Sequence, residues 1–228
     1  QVFNITVNPS AQVEPVASQV VCHGLSTGAV AFATLNTGGL ATYTWTNSDP
    51  SVGLAATGTG NIAAFTASNT THAPITATIT VIPWFENGGV TCTGASQAFT
   101  FTINPSAQVE PIASQVVCHG TGTAAVVFST LNTGGLATYT WTNSDPSVGL
   151  AAAGTGNLAA FTASNTTHAP VTATITVIPW FENGGVTCTG ASQAFTFTVN
   201  PSAQVEPIAS QVLCNGAGTA AVAFATLN

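Results

Sequence analysis

The sequence contains no lysine and no arginine, and its seven acidic residues set the formal net charge at −7. Without cations it cannot release counterions from phosphates, so the term that dominates nucleic-acid affinity is missing, as is the polybasic attraction to anionic lipid. No apolar run reaches the roughly 18 residues of a membrane span, and no basic stretch followed by an apolar one opens the chain. Membrane insertion of this segment and nucleic-acid binding are therefore not expected. Charge is scarce at 3% while hydrophobic residues make up 45% of the chain, a balance opposite to that of disordered sequences. Solubility has to rest on Thr, Ser, Asn and Gln.

What the sequence does contain is a repeat. NPSAQVEP occurs at Asn8–Pro15, Asn104–Pro111 and Asn200–Pro207, which fixes a period of 96 residues. Between Pro9–Asn104 and Pro105–Asn200, 86 of 96 positions are identical. Several of the differences, such as Val16/Ile112, Ile62/Leu158, Ile75/Val171 and Ile103/Val199, preserve apolar volume as a packed core requires. Leu25/Thr121 and Ser26/Gly122 change polarity and read as loop positions. The domains expected are residues 1–8 as the last strand of a preceding repeat, 9–104 and 105–200 as complete repeats, and 201–228 as the start of a further one. The chain reads as a stretch of a longer polypeptide.

Apolar residues alternate with period two, and none keeps a helical period over a helical length. In Phe99-Thr100-Phe101-Thr102-Ile103 the odd positions are apolar and the even ones polar, which predicts a strand with one buried face. Ile75–Ile82 repeats the scheme, as do Ala41, Tyr43 and Trp45; Val30, Phe32, Ile62 and Phe65 complete the inward set. Turn signals at Asn36–Gly39, Asn47–Pro50, Gly58–Asn61 and Glu86–Gly89 separate the strands. About seven short strands in such a unit predict an all-β fold of tandem immunoglobulin-like β-sandwich domains in a linear array. Trp45 and Trp141 are expected in the core beside a disulfide.

Each complete repeat carries two cysteines, Cys22 with Cys92 and Cys118 with Cys188, while Cys214 stands alone with its partner expected outside the chain. Pairing within the repeat is expected, stabilising each domain by roughly 4 kcal/mol and implying an oxidising compartment. A second pairing, Cys92 with Cys118 across the junction, would staple neighbouring repeats. No C-x-x-C pair suggests a metal site. The junction Phe101–Pro111 contains two prolines and no glycine, so neighbouring domains are expected in a fixed relation.

The segments VNPSAQVEPVASQVVCHG, YTWTNSDPSVGLAATGTGNIAAFTASN, PITATITVIP and TCTGASQAFTFTINP together resemble the PKD-like, immunoglobulin-like repeats of giant surface proteins from gliding bacteria of the Bacteroidota type. The resemblance implies type IX secretion, a tandem array at the cell surface, roles in adhesion, filament formation or gliding motility, and no catalytic residues. Family members carry scattered Lys and Arg that this chain lacks.

Other candidate residues weigh against catalysis and cofactors. His23 and His119 adjoin the first cysteine of each repeat, but Asn215 takes that place in the third copy, so a loop residue that donates a hydrogen bond is expected there and not a metal ligand. His72 and His168 lie in an N-T-T-H-A-P turn without a second histidine at ligand spacing. No G-x-S-x-G elbow accompanies the serines. Copies of Glu14, Asp49 and Glu86 would need many more oxygen ligands to hold Ca²⁺, and no D-x-D-x-D-G loop supplies them, so solvated carboxylates are expected. Asn4, Asn69 and Asn165 fit the N-glycosylation triplet. Trp84 and Phe85, with Trp180 and Phe181, follow Pro83 and Pro179 and are expected to fold over the end of the sandwich or to contact a partner such as another chain or a surface glycan.

The expected role is a structural and adhesive segment of an extracellular surface protein. Its alternatives are the body of a multi-chain filament and a carbohydrate-binding module. Because trypsin-like proteases cut after Lys or Arg, the chain of 22.7 kDa should survive trypsin undiminished even in denaturant, a result read directly by gel or mass spectrometry. Fragments would show cleavage at sites the sequence does not supply.

Overall fold

The computed structural model describes residues 1–227. Two compact units emerge: the first combines Gln1–Gln108 with Thr130–Ala137 and Pro179–Ala191, the second Val109–Ser129 with Thr138–Ile178 and Ser192–Asn228. The first repeat supplies one six-stranded sheet, built from β1 (Gln19–Cys22), β2 (Leu40–Asn47), β3 (Thr57–Thr59), β4 (Ile75–Asn87), β5 (Val90–Thr93) and β6 (Gln97–Asn104). Its order is β1-β6-β4-β2-β3, with β5 also paired to β4, and β1 runs parallel to β6 while the other pairs are antiparallel. The second repeat gives the same sheet from β7 (Gln115–Cys118), β8 (Leu136–Asn143), β9 (Ala153–Thr155), β10 (Val171–Asn183), β11 (Val186–Thr189) and β12 (Gln193–Asn200), in the order β7-β12-β10-β8-β9.

A thinner layer closes the sandwich. In the first repeat it is held by the bridges Ser26↔Thr66 and Val30↔Ile62, with Val30 N–H donating to the Ile62 carbonyl at 2.8 Å and the reverse bond at 3.0 Å. Between the layers lie Val30, Phe32, Tyr43, Trp45, Ile62, Ile79, Val81, Phe99, Phe101 and Ile103, the inward set that the period-two pattern predicts. Phe101 sits at the centre, meeting Phe65 and Phe99 edge-on at centroid distances of 5.1 and 5.5 Å. The fold is all-β and immunoglobulin-like, and both repeats carry it.

Local chemistry sets the element ends. Asp49 caps the 3-10 turn Pro50–Val52 by accepting from Ser51 N–H at 3.0 Å, with proline at the first helical position where an N–H would be idle. The equivalent Asp145 carboxyl is held below its usual range by hydrogen bonds from the Ser147 hydroxyl and backbone. Gly88 and Gly89, with φ of 62° and 75°, form the two-residue turn between Asn87 and Val90, a pair of left-handed positions that other residues occupy at a cost.

Two features depart from the sequence expectation. The strand beginning at Ile75 continues through Pro83 to Asn87 instead of ending at Ile82. Proline is tolerated because β6 pairs with β4 only as far as Val81 and β5 takes over at Trp84, so the missing N–H falls in the gap between partners. Gly58, expected in a turn, stands in β3 opposite Trp45, where a Cβ would clash with the indole ring. Gly58→Ala should therefore cost about 1–3 kcal/mol through overpacking, seen as a lower midpoint in urea unfolding; an unchanged midpoint would show that the indole has room to move.

Candidate functional site

The expected disulfides are not the ones that form. Cys22 bonds to Cys188, with Cα atoms 5.6 Å apart and a sequence separation of 166, while Cys92, Cys118 and Cys214 are free thiols. The register of the first sheet explains why Cys22 does not reach Cys92. Cys22 lies opposite Asn104, next to Ile103, which pairs with Ile75 at the start of β4. Cys92 pairs with Phe85, ten residues further along the same strand. At roughly 3.3 Å per residue the two cysteines stand about 33 Å apart, far beyond the ~7 Å that a disulfide spans. Cys118 cannot bond Cys188, which is already taken, and Cys92 and Cys118 do not pair with each other. The bonded pair also lies outside the core cluster that holds Trp45, so the expected tryptophan-on-disulfide packing is absent there.

Around the Cys22–Cys188 bond, still inside the first compact unit, an asparagine pair forms a reciprocal clasp. Asn104 Nδ2 donates to the Asn183 carbonyl at 3.0 Å, and Asn183 Nδ2 donates to Asn104 Oδ1 at 3.0 Å. Asn104 is fully buried, and the adjoining Pro105 is buried. Near it the backbone of Ala107 approaches Gly190 so closely that no Cβ fits at the glycine. The same constellation occurs a second time in this unit. Asn8 Nδ2 donates to the Asn87 carbonyl at 2.8 Å, Asn87 Nδ2 donates to Asn8 Oδ1 at 3.0 Å, and Ala11 bridges Gly94, where again no Cβ fits. Here the free Cys92 occupies the place that Cys188 has in the first clasp.

The other candidates resolve into structural roles. Asn69 is 3% exposed: its Nδ2 donates to the Ala73 and Ile103 carbonyls at 2.8 and 2.7 Å, and its Oδ1 accepts from the Thr71 backbone and hydroxyl. Asn165 repeats this with Ala169, Val199 and Thr167. Both amides are buried and bonded on the nitrogen a sugar would need, so neither is a glycosylation acceptor in the folded chain; Asn4 is exposed. His23 Nδ1 accepts from Asn69 N–H at 2.9 Å, and His119 does the same with Asn165, an accepting role and not the donating one expected.

Phe85 and Phe181 are buried, and Trp84 and Trp180 lie half-buried, all four within β4 and β10 and not in a loop after the strand. Trp84 Nε1 donates to Thr44 Oγ1 at 3.1 Å. Among the described residues no group of three or more His, Cys, Asp or Glu converges on a metal position, and Glu14, Asp49 and Glu86 stand apart. A groove of about 670 Å³ beside Pro111, Ile112 and Val127 carries one titratable group, Glu110. Burial pushes the Tyr43 phenol above its usual range, with an opposing hydrogen bond from Thr34.

No protein-family model matches the chain, and no curated protein matches it. Among solved structures, the three N-terminal domains of the bacteriophage RB49 highly immunogenic outer capsid protein align with a TM-score of 0.44 at 14% identity, covering 84% of this chain and 70% of that one. Extracellular cadherin domains 1–4 of protocadherin gamma B7 align at 0.39 and 10% identity, with 90% of this chain spanning 55% of that one. The tandem Ig repeats of Dlar align at 0.25 and 14% identity, covering 84% and 99%. None of them assigns a role to this chain.

Alkylation of the unfolded, unreduced chain should label Cys92, Cys118 and Cys214 and spare Cys22 and Cys188. Pairing within repeats would label Cys214 alone. Asn69→Ala should lower stability by about 2–3 kcal/mol, since it strands buried carbonyls, measured by urea unfolding beside an Asn4→Ala control that leaves it unchanged.

Proposed function

We propose that this chain is a structural and adhesive repeat segment of a long extracellular surface protein, one whose repeats project a binding element or build a stalk. The observation that carries this reading is the Cys22–Cys188 bond, which ties the first strand of one repeat to the β11 strand of the next through nearly identical sequence. Such a bond belongs to an oxidising compartment and resists shear along the chain. The buried clasp at Asn104 supports the same reading, because it joins the end of β6 to β10 of the following repeat within one compact unit. The resemblance to repeats of gliding-bacterium surface proteins adds type IX secretion and gliding motility as the finer form of this proposal.

A second reading, the body of a multi-chain filament, is favoured by composition. With no cations and few acids, neighbouring copies repel weakly, and Thr-rich strand faces such as Thr76, Thr78, Thr100 and Thr102 present one contact many times. The carbohydrate-binding alternative loses its support, since Phe85 and Phe181 are buried in the fold. Electron microscopy of the native secreted material, before and after reduction, discriminates. Single beaded threads support the stalk, ordered multi-chain fibres make the filament the function, and globular particles without linear order sink both.

A further inference from the structure

The two clasps of the first compact unit differ at their cysteines. At Asn104 the adjoining strand β1 brings Cys22 onto Cys188; at Asn8 the equivalent cysteine, Cys92, has no partner. The two share the reciprocal asparagine bonds, a further bond from Asn8 Nδ2 to the Val90 carbonyl at 3.3 Å matching Asn104 Nδ2 to Val186 at 3.4 Å, and the alanine–glycine approach, while Asn104 and Pro105 are buried where Asn8 is half-buried and Pro9 exposed. Residues 1–8 also carry the inward face of a β6-type strand without a sandwich around it. Phe3 is 82% exposed, whereas its repeat equivalent Phe99 is 3% exposed. At the other end Phe224 is 75% exposed where its equivalents Phe32 and Phe128 are buried. In the complete repeats these faces are covered by the rest of the same repeat.

We propose that every repeat is disulfide-bonded to the next one along the polypeptide, first cysteine to the following repeat's second. By that rule Cys118 is the attachment point for a following repeat, and Cys92 receives the first cysteine of a preceding one. A strand pairing with residues 1–8 as β1 pairs with β6 sets its cysteine opposite Asn8, as Cys22 stands opposite Asn104, and so against Cys92. The parallel pair β7 and β12 already places Cys118 opposite Asn200, ready for the same contact, and Cys118 is exposed. Cys214 then serves the repeat after that. The inference rests on the array reading above, and it adds which cysteines join.

Bond formation requires an oxidant, here a disulfide-bearing thiol oxidoreductase of the exterior compartment. The Cys118 thiol loses its proton and the thiolate attacks one sulfur of that disulfide, expelling the other as a thiolate. The incoming cysteine, likewise deprotonated, attacks Cys118 Sγ in the mixed disulfide and expels the second. Two protein thiols become one disulfide, and one oxidant disulfide becomes two thiols.

The test extends the full chain at its C-terminus with a second copy of residues 133–200, which completes a third repeat, and expresses it in an oxidising compartment. Alkylation after unfolding without reduction should label Cys92 and Cys214 only, with Cys118 spared and bonded to the added cysteine. In the Cys118→Ser variant of that extended chain the added cysteine should become labelled, whereas Cys22 and Cys188 stay protected. A labelled Cys118, or a bond between Cys214 and the added cysteine, overturns the rule. The intact mass of native secreted chains reports separately whether further repeats exist, so failure of the array reading and failure of the bonding rule are told apart.

Discussion

The antiparallel register of β4 against its neighbours governs the chemistry of this chain. Because β4 is long enough to take two successive partners, β6 over its first half and β5 over its second, β5 with Cys92 lies along one end of it while β1 with Cys22 pairs only with β6, level with the other end. That register forbids the short bond, and Cys22 is met instead by Cys188 from the following repeat. Pro83 belongs to the same arrangement, since it marks the point where one partner leaves and the next arrives, the place in a central strand where a missing donor costs nothing. The sandwich core is ordinary by comparison: aromatic residues from β2 and β6 meet Val30, Phe32 and Ile62 from the thinner layer.

Closing a chain separation of 166 residues removes more unfolded-state freedom than closing a shorter one would, about 5 kcal/mol in the chain-entropy account. The bond does not act alone. Asn104 and Asn183 exchange hydrogen bonds beside it in a buried setting, where an unmatched amide would be costly, so the geometry that lets the sulfurs meet is fixed by groups that are themselves fully used. Gly190 allows the backbone of Ala107 to approach, and no other residue does. The near-identity of the repeats around Asn8, Asn87 and Gly94 keeps the same solution available at each copy.

Much of the fold was legible in the sequence because strand periodicity and burial are the same information. Phe99, Phe101 and Ile103 alternate with threonines and are buried in the structure; Tyr43 and Trp45 behave likewise. The Asn87–Val90 turn was legible from its two glycines. What the sequence concealed were facts of register. Two cysteines per repeat look like an internal pair until the strands that carry them are seen to lie at the two ends of β4. Asn69 looks like a sugar acceptor until its amide is found bonded to Ala73 and Ile103, and Trp84 with Phe85 looks like a loop until Pro83 proves to sit inside a strand. A signal was present in one case: Asn69 and Thr71 are unchanged in the second repeat, at Asn165 and Thr167, together with the histidine that serves them.

The Cys22–Cys188 bond also changes the covalent topology of the molecule. Between those two residues the backbone is no longer a line but a closed ring, and a ring cut once remains one piece. A single hydrolysed peptide bond anywhere inside it leaves both new ends attached through sulfur, so releasing any portion takes two cuts or a reductant. Permanence of the chain is then a matter of how its atoms are connected, and not only of how tightly they are packed.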